Sequence, residues 1–123
     1  MSSAASQAYA RTAQRIASPR DIEAQALLKA ARQLQDVMTN WDQTDAGLTE
    51  ALMFNRKLWS IFVSDAMRDE NPEQISIRQN IANIGIFVMT QSSALLLKPE
   101  VERLQALIDI NRNIAAGLNG RAT

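Results

Sequence analysis

The residues that could support chemistry in this chain are few, and most of them are acidic. The 123 residues include no histidine and no cysteine, so the commonest general base and the thiolate ligands of metals are missing. Asp65, Asp69 and Glu70 form one acidic cluster, which could bind a hard cation. The simpler interpretation is a charged, solvated helix end. We therefore predict no catalytic residue, no metal site and no cofactor, in a protein that is not an enzyme.

Two Asn-Arg steps are the most specific pattern in the sequence. Residues 52–58 and 108–114 repeat the order apolar, any, apolar, Asn, Arg, any, apolar. Asn55 and Asn111 each fall in the middle of an apolar helical stripe, where an amide without a partner would cost roughly 1–3 kcal/mol. We therefore predict that both asparagines are structural: buried and hydrogen-bonded, to each other or to the backbone of a neighbouring helix.

The arginines that follow have two open interpretations. Arg56 and Arg112 lie about 100° around the helix from the asparagines that precede them, at the boundary of the apolar stripes. There they could bind a carboxylate of a partner protein in bidentate fashion. Alternatively, they form salt bridges within the bundle, to acids such as Asp109 or Glu73.

Helical periodicity and end signals define four segments. No stretch alternates with period two over the length of a strand, and helices are predicted at about residues 19–39, 46–68, 72–97 and 100–116. Ser18-Pro19 and Asn71-Pro72 are helix starts, and Gly117 is a helix stop. The predicted fold is all-α, a small antiparallel bundle of four principal helices. Residues 1–17 form an N-terminal helical arm that could be mobile, residues 18–118 the single domain, and residues 119–123 a tail.

The third predicted helix has two apolar faces. Ile77, Ile81, Ile84, Val88 and Leu95 make one, and Ala82, Ile86 and Met89 lie nearly opposite. The second face is either covered within the bundle or forms a docking groove for an amphipathic helix. Gly85 would let another backbone come close. We add one edge of the second helix and the two arginines to this second face as candidates for partner binding. The candidate residues are Phe54, Arg56, Ile61, Ala82, Gly85, Ile86, Met89 and Arg112.

The zero net charge of the chain argues against two classes of partner. Lysine plus arginine and aspartate plus glutamate are each 13, and the formal net charge is zero. A nucleic-acid binder carries a basic surface and a membrane-surface protein a polybasic one, so direct binding to either is not expected. The longest uncharged run, residues 79–97, is interrupted by polar side chains, unlike most membrane spans. A soluble cytoplasmic protein is expected, with a monomer favoured.

Three segments of the chain resemble the bacterial FlaF family. They are SPRDIE at residues 18–23, NRKLW at 55–59 and LIDINR at 107–112, closed by GL at 117–118. The similarity runs in the same order from Tyr9 to Leu118. The family comprises small regulators of flagellar biosynthesis and is distinct from the archaeal flagellar protein of the same name.

The resemblance implies a cytoplasmic, non-enzymatic role. Proteins of this family are needed for flagellin production and export, and act with a second small regulator, FlbT. The expected function is a flagellin-binding export chaperone that couples flagellin synthesis to secretion. The alternative is a regulatory adaptor that acts mainly through FlbT in post-transcriptional control of flagellin. Because flagellin's terminal regions form long amphipathic helices, an apolar groove would suit the first role.

Overall fold

Four α-helices account for most of the described chain. The computed structural model describes residues 19–42 and 47–121. The helices are α1 (Pro19–Thr39), α2 (Leu48–Ala66), α3 (Ile75–Leu97) and α4 (Leu104–Arg121), and a single 3-10 turn, Val101–Arg103, precedes α4. These ranges contain no β-strand. The predicted all-α bundle of four principal helices is confirmed, whereas the predicted arm, the Ser18 cap and the last two residues lie outside the described residues.

The helices pack as two pairs. The most extensive contacts join α1 to α4 and α2 to α3, and α1 also packs on α2, whereas contacts between α3 and α4 are sparse. Large buried side chains fill the space between the pairs: Leu27, Leu34, Leu52, Trp59, Val88, Leu95, Leu104, Leu107 and Ile108. Because α3 is held mainly by α2, a wide arc of its surface faces away from the bundle.

Side chains from the following segment complete the C-terminal end of α2. The last carbonyls of a helix lack partners within the helix. Arg78 supplies donors here: its Nε donates to the Ala66 carbonyl at 2.6 Å and its Nη2 to the Arg68 carbonyl at 2.7 Å. The Asn71 side-chain amide donates to the Asp65 carbonyl at 2.8 Å. These bonds fix the start of α3 beside the end of α2, as in a helical hairpin.

The predicted start of α3 at Asn71-Pro72 is wrong, because α3 begins at Ile75. Asn71 uses its side chain in a turn instead: its Oδ1 accepts a hydrogen bond from the Glu73 backbone N–H at 2.9 Å. Gln74 is extended, with φ −60° and ψ 147°. The Asn-Pro signal is therefore a genuine turn, placed three residues before the helix.

The predicted stop of α4 at Gly117 is also wrong. The helix continues to Arg121, so residues 119–121 belong to α4 rather than to a tail. A glycine ends a helix by adopting a left-handed conformation. In the described chain only Gly47 has a positive φ, 80°, at the residue before α2. The predicted start at residue 100 is likewise replaced by the 3-10 turn and an α-helix from Leu104.

One helix in the described chain, α3, is long and apolar enough to cross a membrane by length and composition. Only 22% of its apolar window is buried in the bundle. Apolar helices of water-soluble bundles pass the same test. The exposed side of α3 carries Gln79, Asn80, Asn83 and Thr90, and such groups are costly where they face lipid.

Candidate docking surface

A buried chain of hydrogen bonds links α2 to α4. Trp59, Asn55 and Asn111 are all 0% exposed. The Trp59 indole Nε1 donates to Asn111 Oδ1 at 2.8 Å, and Asn111 Nδ2 donates to Asn55 Oδ1 at 2.6 Å. The indole nitrogen can only donate, so it fixes the orientation of the Asn111 amide and thereby the direction of the second bond. Both asparagines are thus buried and bonded to each other, which is one of the two alternatives that the repeated Asn-Arg pattern left open.

The network holds α2 and α4 in one register. Trp59 was missed as a partner, although its place one helical turn after Asn55 is a signal that could have found it. Asn55 Nδ2 is buried and has no hydrogen-bond partner among the described residues. Its cost is of order 1–3 kcal/mol. Buried amides of this kind lower the stability of the bundle but favour one arrangement of its helices. Asn55 and Asn111 are therefore structural residues rather than part of a binding surface.

Arg56 and Arg112 project into solvent beside this network. The acids suggested as their intramolecular partners bond elsewhere, because Glu73 pairs with Arg20 at 3.9 Å and Asp109 accepts a hydrogen bond from Gln105 at 2.8 Å. Within the described ranges neither Arg56 nor Arg112 forms an ion pair. Contact with a partner's carboxylate stays a prediction for both.

The side of α3 that points away from α2 carries an apolar stripe that is largely uncovered. We call the stripe formed by Ile75, Ala82, Ile86, Met89 and Leu97 the outer face of α3. Ile75 is 67% exposed, Ile86 56% and Leu97 89%, and Ala82 and Met89 are half-buried. No charged residue occurs from residue 79 to residue 97. The described bundle therefore does not cover the second apolar face of this helix.

Gly85 lies inside the contact between α3 and α2, not on the outer face. It is buried, and a Cβ added to it would clash with Val63 Cγ2 and stand 3.4 Å from Trp59 Cε3. The neighbour that comes close to Gly85 is α2, through the side chains of Val63 and Trp59. We therefore remove Gly85 from the candidate docking residues.

Phe54 and Ile61 form a separate surface. Val63 faces α3 through Gly85. Ile61 lies about 200° around α2 from Val63, and Phe54 about 180°, so both point away from α3. The Lys29 Nζ sits 5.3 Å from the centre of the Phe54 ring, which ties Phe54 to α1. The structure does not bring these two residues together with the outer face of α3 into one groove.

A pocket of about 280 Å³ opens at the end of the bundle where α1 and α3 begin and α2 and α4 end. We call it the end pocket. Its floor is apolar and includes Leu27, Trp59, Phe62, Ile81, Ile114 and Leu118, and its rim carries Arg20, Glu23, Asp65, Glu73 and Arg78. Periodicity could not have found it, because its walls come from four helices whose adjacency no single segment encodes.

Two members of the acidic cluster at the end of α2 form exposed ion pairs. Arg68 pairs with Asp65 at 3.0 Å and with Glu70 at 3.8 Å. In the part of the chain that the structure describes, no group of three or more potential ligands has the arrangement of a metal site. The solvated helix end is therefore the interpretation that fits the geometry.

Comparison with known proteins identifies one family. A family model described as flagellar protein FlaF matches residues 5–118 of the chain. No curated protein and no solved structure matches significantly. The match covers all four helices except the last residues of α4, and it includes both Asn-Arg steps.

Proposed function

This chain belongs to the FlaF family of flagellar proteins, and we propose that it acts in the cytoplasm as an export chaperone that binds flagellin of the bacterial flagellum. In this role it holds a helical segment of flagellin before secretion and couples flagellin synthesis to export. The observation that carries the proposal is the uncovered outer face of α3.

The outer face has the spacing that an amphipathic helix needs. Ile75, Ala82, Ile86 and Met89 recur at intervals of three, four and seven residues, so they line one side of α3. A helix laid along this side can bury its own apolar stripe against them. The small side chain of Ala82 leaves room between its larger neighbours for a knob from the partner.

Burial supplies the energy for this interaction. Covering apolar surface contributes about 25 cal/mol per Å² before the costs of ordering the partner. Because α3 has no charge between residues 79 and 97, covering it leaves no ionised group of α3 desolvated. A partner held mainly by such contacts can be released without breaking a buried ion pair, which suits a transient export complex.

A second candidate function is a regulatory adaptor that acts mainly through FlbT. Arg56 and Arg112 favour it, because two exposed guanidinium groups without an ion pair in the described chain can bind carboxylates of a folded regulator. In that case the outer face of α3 would be the apolar centre of an interface with the regulator, and flagellin would be contacted indirectly.

Calorimetric titration separates the two functions. The purified protein is titrated with flagellin and, in a separate cell, with FlbT. The chaperone proposal predicts saturable binding to flagellin in the absence of FlbT, with a negative heat-capacity change from apolar burial. Binding to FlbT together with no heat of binding to flagellin would replace the chaperone with the adaptor.

A further inference from the structure

The end pocket combines an apolar floor with a charged mouth. Trp59, Phe62 and Leu118 contribute to the floor, and an ion pair between Arg20 and Glu73, 3.9 Å apart, lies at the mouth. Its volume of about 280 Å³ is almost twice that of an engineered apolar cavity of about 150 Å³ that accepts benzene. The pocket therefore has room for at least one large apolar side chain.

We propose that the end pocket is an intramolecular binding site for the N-terminal segment, residues 1–18, with Ile16 as the side chain that enters it. The first argument is position. Pro19, the residue that follows this segment, itself lines the pocket. Ile16 is three residues earlier, and three residues span at most about 10 Å. Ile16 therefore stays within about 10 Å of a residue in the pocket wall.

Composition supports the same occupant. The segment has few large apolar side chains, and Ile16 is the one nearest to Pro19. It also contains Arg11 and Arg15 and no acidic residue, so the remainder of the chain carries two more acidic than basic residues. The rim of the pocket has three carboxylates and two guanidinium groups. With Ile16 inserted, Arg15 stands at a mouth whose charge balance is negative.

The segment is also part of the pattern that defines the family. The family match begins at residue 5, well before α1, and continues without a break into the bundle. Docking in the end pocket would make the segment a fifth packed element and would cover the edge where α3 and α4 make sparse contacts. Any other molecule that uses the pocket must first displace Ile16.

Disulfide trapping tests this proposal, because the natural chain has no cysteine and an engineered pair is unambiguous. The test protein is the full-length double variant Ile16→Cys/Leu118→Cys. The matched control is Ile16→Cys/Ala116→Cys: Ala116 is exposed on the same helix, about 200° around it from Leu118. Both target cysteines lie on α4, two residues apart in the sequence. Circular dichroism checks that each variant keeps the helical content of the unmodified protein.

A disulfide forms only when the two Cα atoms come within about 7 Å. The proposal predicts that the pocket pair closes within one chain at least tenfold faster than the control pair. Equal rates for the two pairs would show that Ile16 has no preference for the pocket, and would overturn the proposal. Disulfide-linked dimers as the main product would overturn it as well, because the occupant would then come from a second copy.

Discussion

The centre of the bundle carries amides where most helical cores are wholly apolar, whereas the outer face of α3 carries isoleucine and leucine where most surfaces are polar. In the centre, two hydrogen bonds join Trp59, Asn111 and Asn55, and Asn55 Nδ2 has no partner among the described residues. On the outer face, Ile75, Ile86 and Leu97 are each more than half exposed.

Neither arrangement favours the stability of the folded monomer by itself, and the two have different physical consequences. Buried amides lower stability unless all their groups are bonded, but they penalise every packing in which α2 and α4 shift against each other. An exposed apolar stripe adds nothing to the folded monomer and gains its free energy only when another surface covers it. The polar centre therefore supports the fold, whereas the apolar surface is the part that we propose a partner covers.

The largest effect on stability is expected from Asn111→Leu. This change leaves the Trp59 indole N–H and the Asn55 amide buried without partners. At roughly 1–3 kcal/mol for each of the two orphaned groups, we expect a loss of about 2–6 kcal/mol in the free energy of unfolding. Urea denaturation followed by circular dichroism measures it. Asn113→Leu, an exposed position on the same helix, should change stability little.

Asn55→Leu should destabilise the protein less than Asn111→Leu, because it removes one bond of the network together with an unbonded donor. Only Asn111 Nδ2 loses its partner, and the orphaned Asn55 Nδ2 disappears. We therefore expect a change within about 1 kcal/mol of the unmodified protein. Equal losses for the Asn55 and Asn111 variants would contradict the proposed direction of the hydrogen bonds.

The close contact between α2 and α3 predicts opposite signs for two glycine substitutions. Gly85→Ala drives a methyl group into Val63, and overpacking less the gain in helix propensity should cost about 1–2 kcal/mol. Gly117→Ala meets no atom within 4 Å inside α4 and should stabilise by up to about 1 kcal/mol. Thermal unfolding measures both. The double change Gly85→Ala/Val63→Ala should be less destabilised than the sum of the two single changes.

Arg78 should matter more than Arg68, the arginine whose carbonyl it contacts. Arg78→Gln removes two charge-assisted bonds, one to the carbonyl of Ala66 at the end of α2 and one to that of Arg68 just beyond it, and we expect a loss of about 1–2 kcal/mol in unfolding free energy. Arg68→Gln removes only exposed ion pairs, for which less than about 1 kcal/mol is typical. Equal denaturation midpoints for the two variants would show that the end of α2 does not depend on Arg78.

The smallest effect on stability is expected on the outer face. Ile86→Asp places a charge at a position that is 56% exposed, so the free energy of unfolding should change by less than about 0.5 kcal/mol. Chemical denaturation of the isolated protein measures it. A loss comparable to that of Asn111→Leu would mean that Ile86 is core, and the outer face would no longer qualify as a docking surface.

The sequence predicts which residues share a face of each helix, but not which other helix packs against that face. Apolar stripes and the Pro19 start predicted the number and type of elements, and the repeated Asn-Arg step predicted that Asn55 and Asn111 are buried. The same periodicity placed Gly85 between two faces of α3 without showing which helix comes close. That assignment depends on where Val63 of α2 lies, which is a fact about the tertiary structure.

The predicted start of α3 and the predicted end of α4 were wrong for a related reason. Asn71-Pro72 is a valid helix-start signal, but Asn71 bonds back to Asp65 and lies in a turn before Ile75. Gly117 is a valid stop, but the packing of Ile114 and Leu118 against the core keeps α4 helical beyond it. In both cases tertiary contacts override a local preference of about 1 kcal/mol.

The most direct test of the account is a calorimetric titration of flagellin into the Ile86→Asp variant, with Asn80→Asp as the control. Both changes add one negative charge to exposed positions of α3, about 120° apart around the helix. The chaperone proposal predicts at least a tenfold weaker affinity for Ile86→Asp, which is about 1.4 kcal/mol, and little change for Asn80→Asp. An unchanged affinity for Ile86→Asp would contradict the assignment of the outer face of α3 as the flagellin-binding surface.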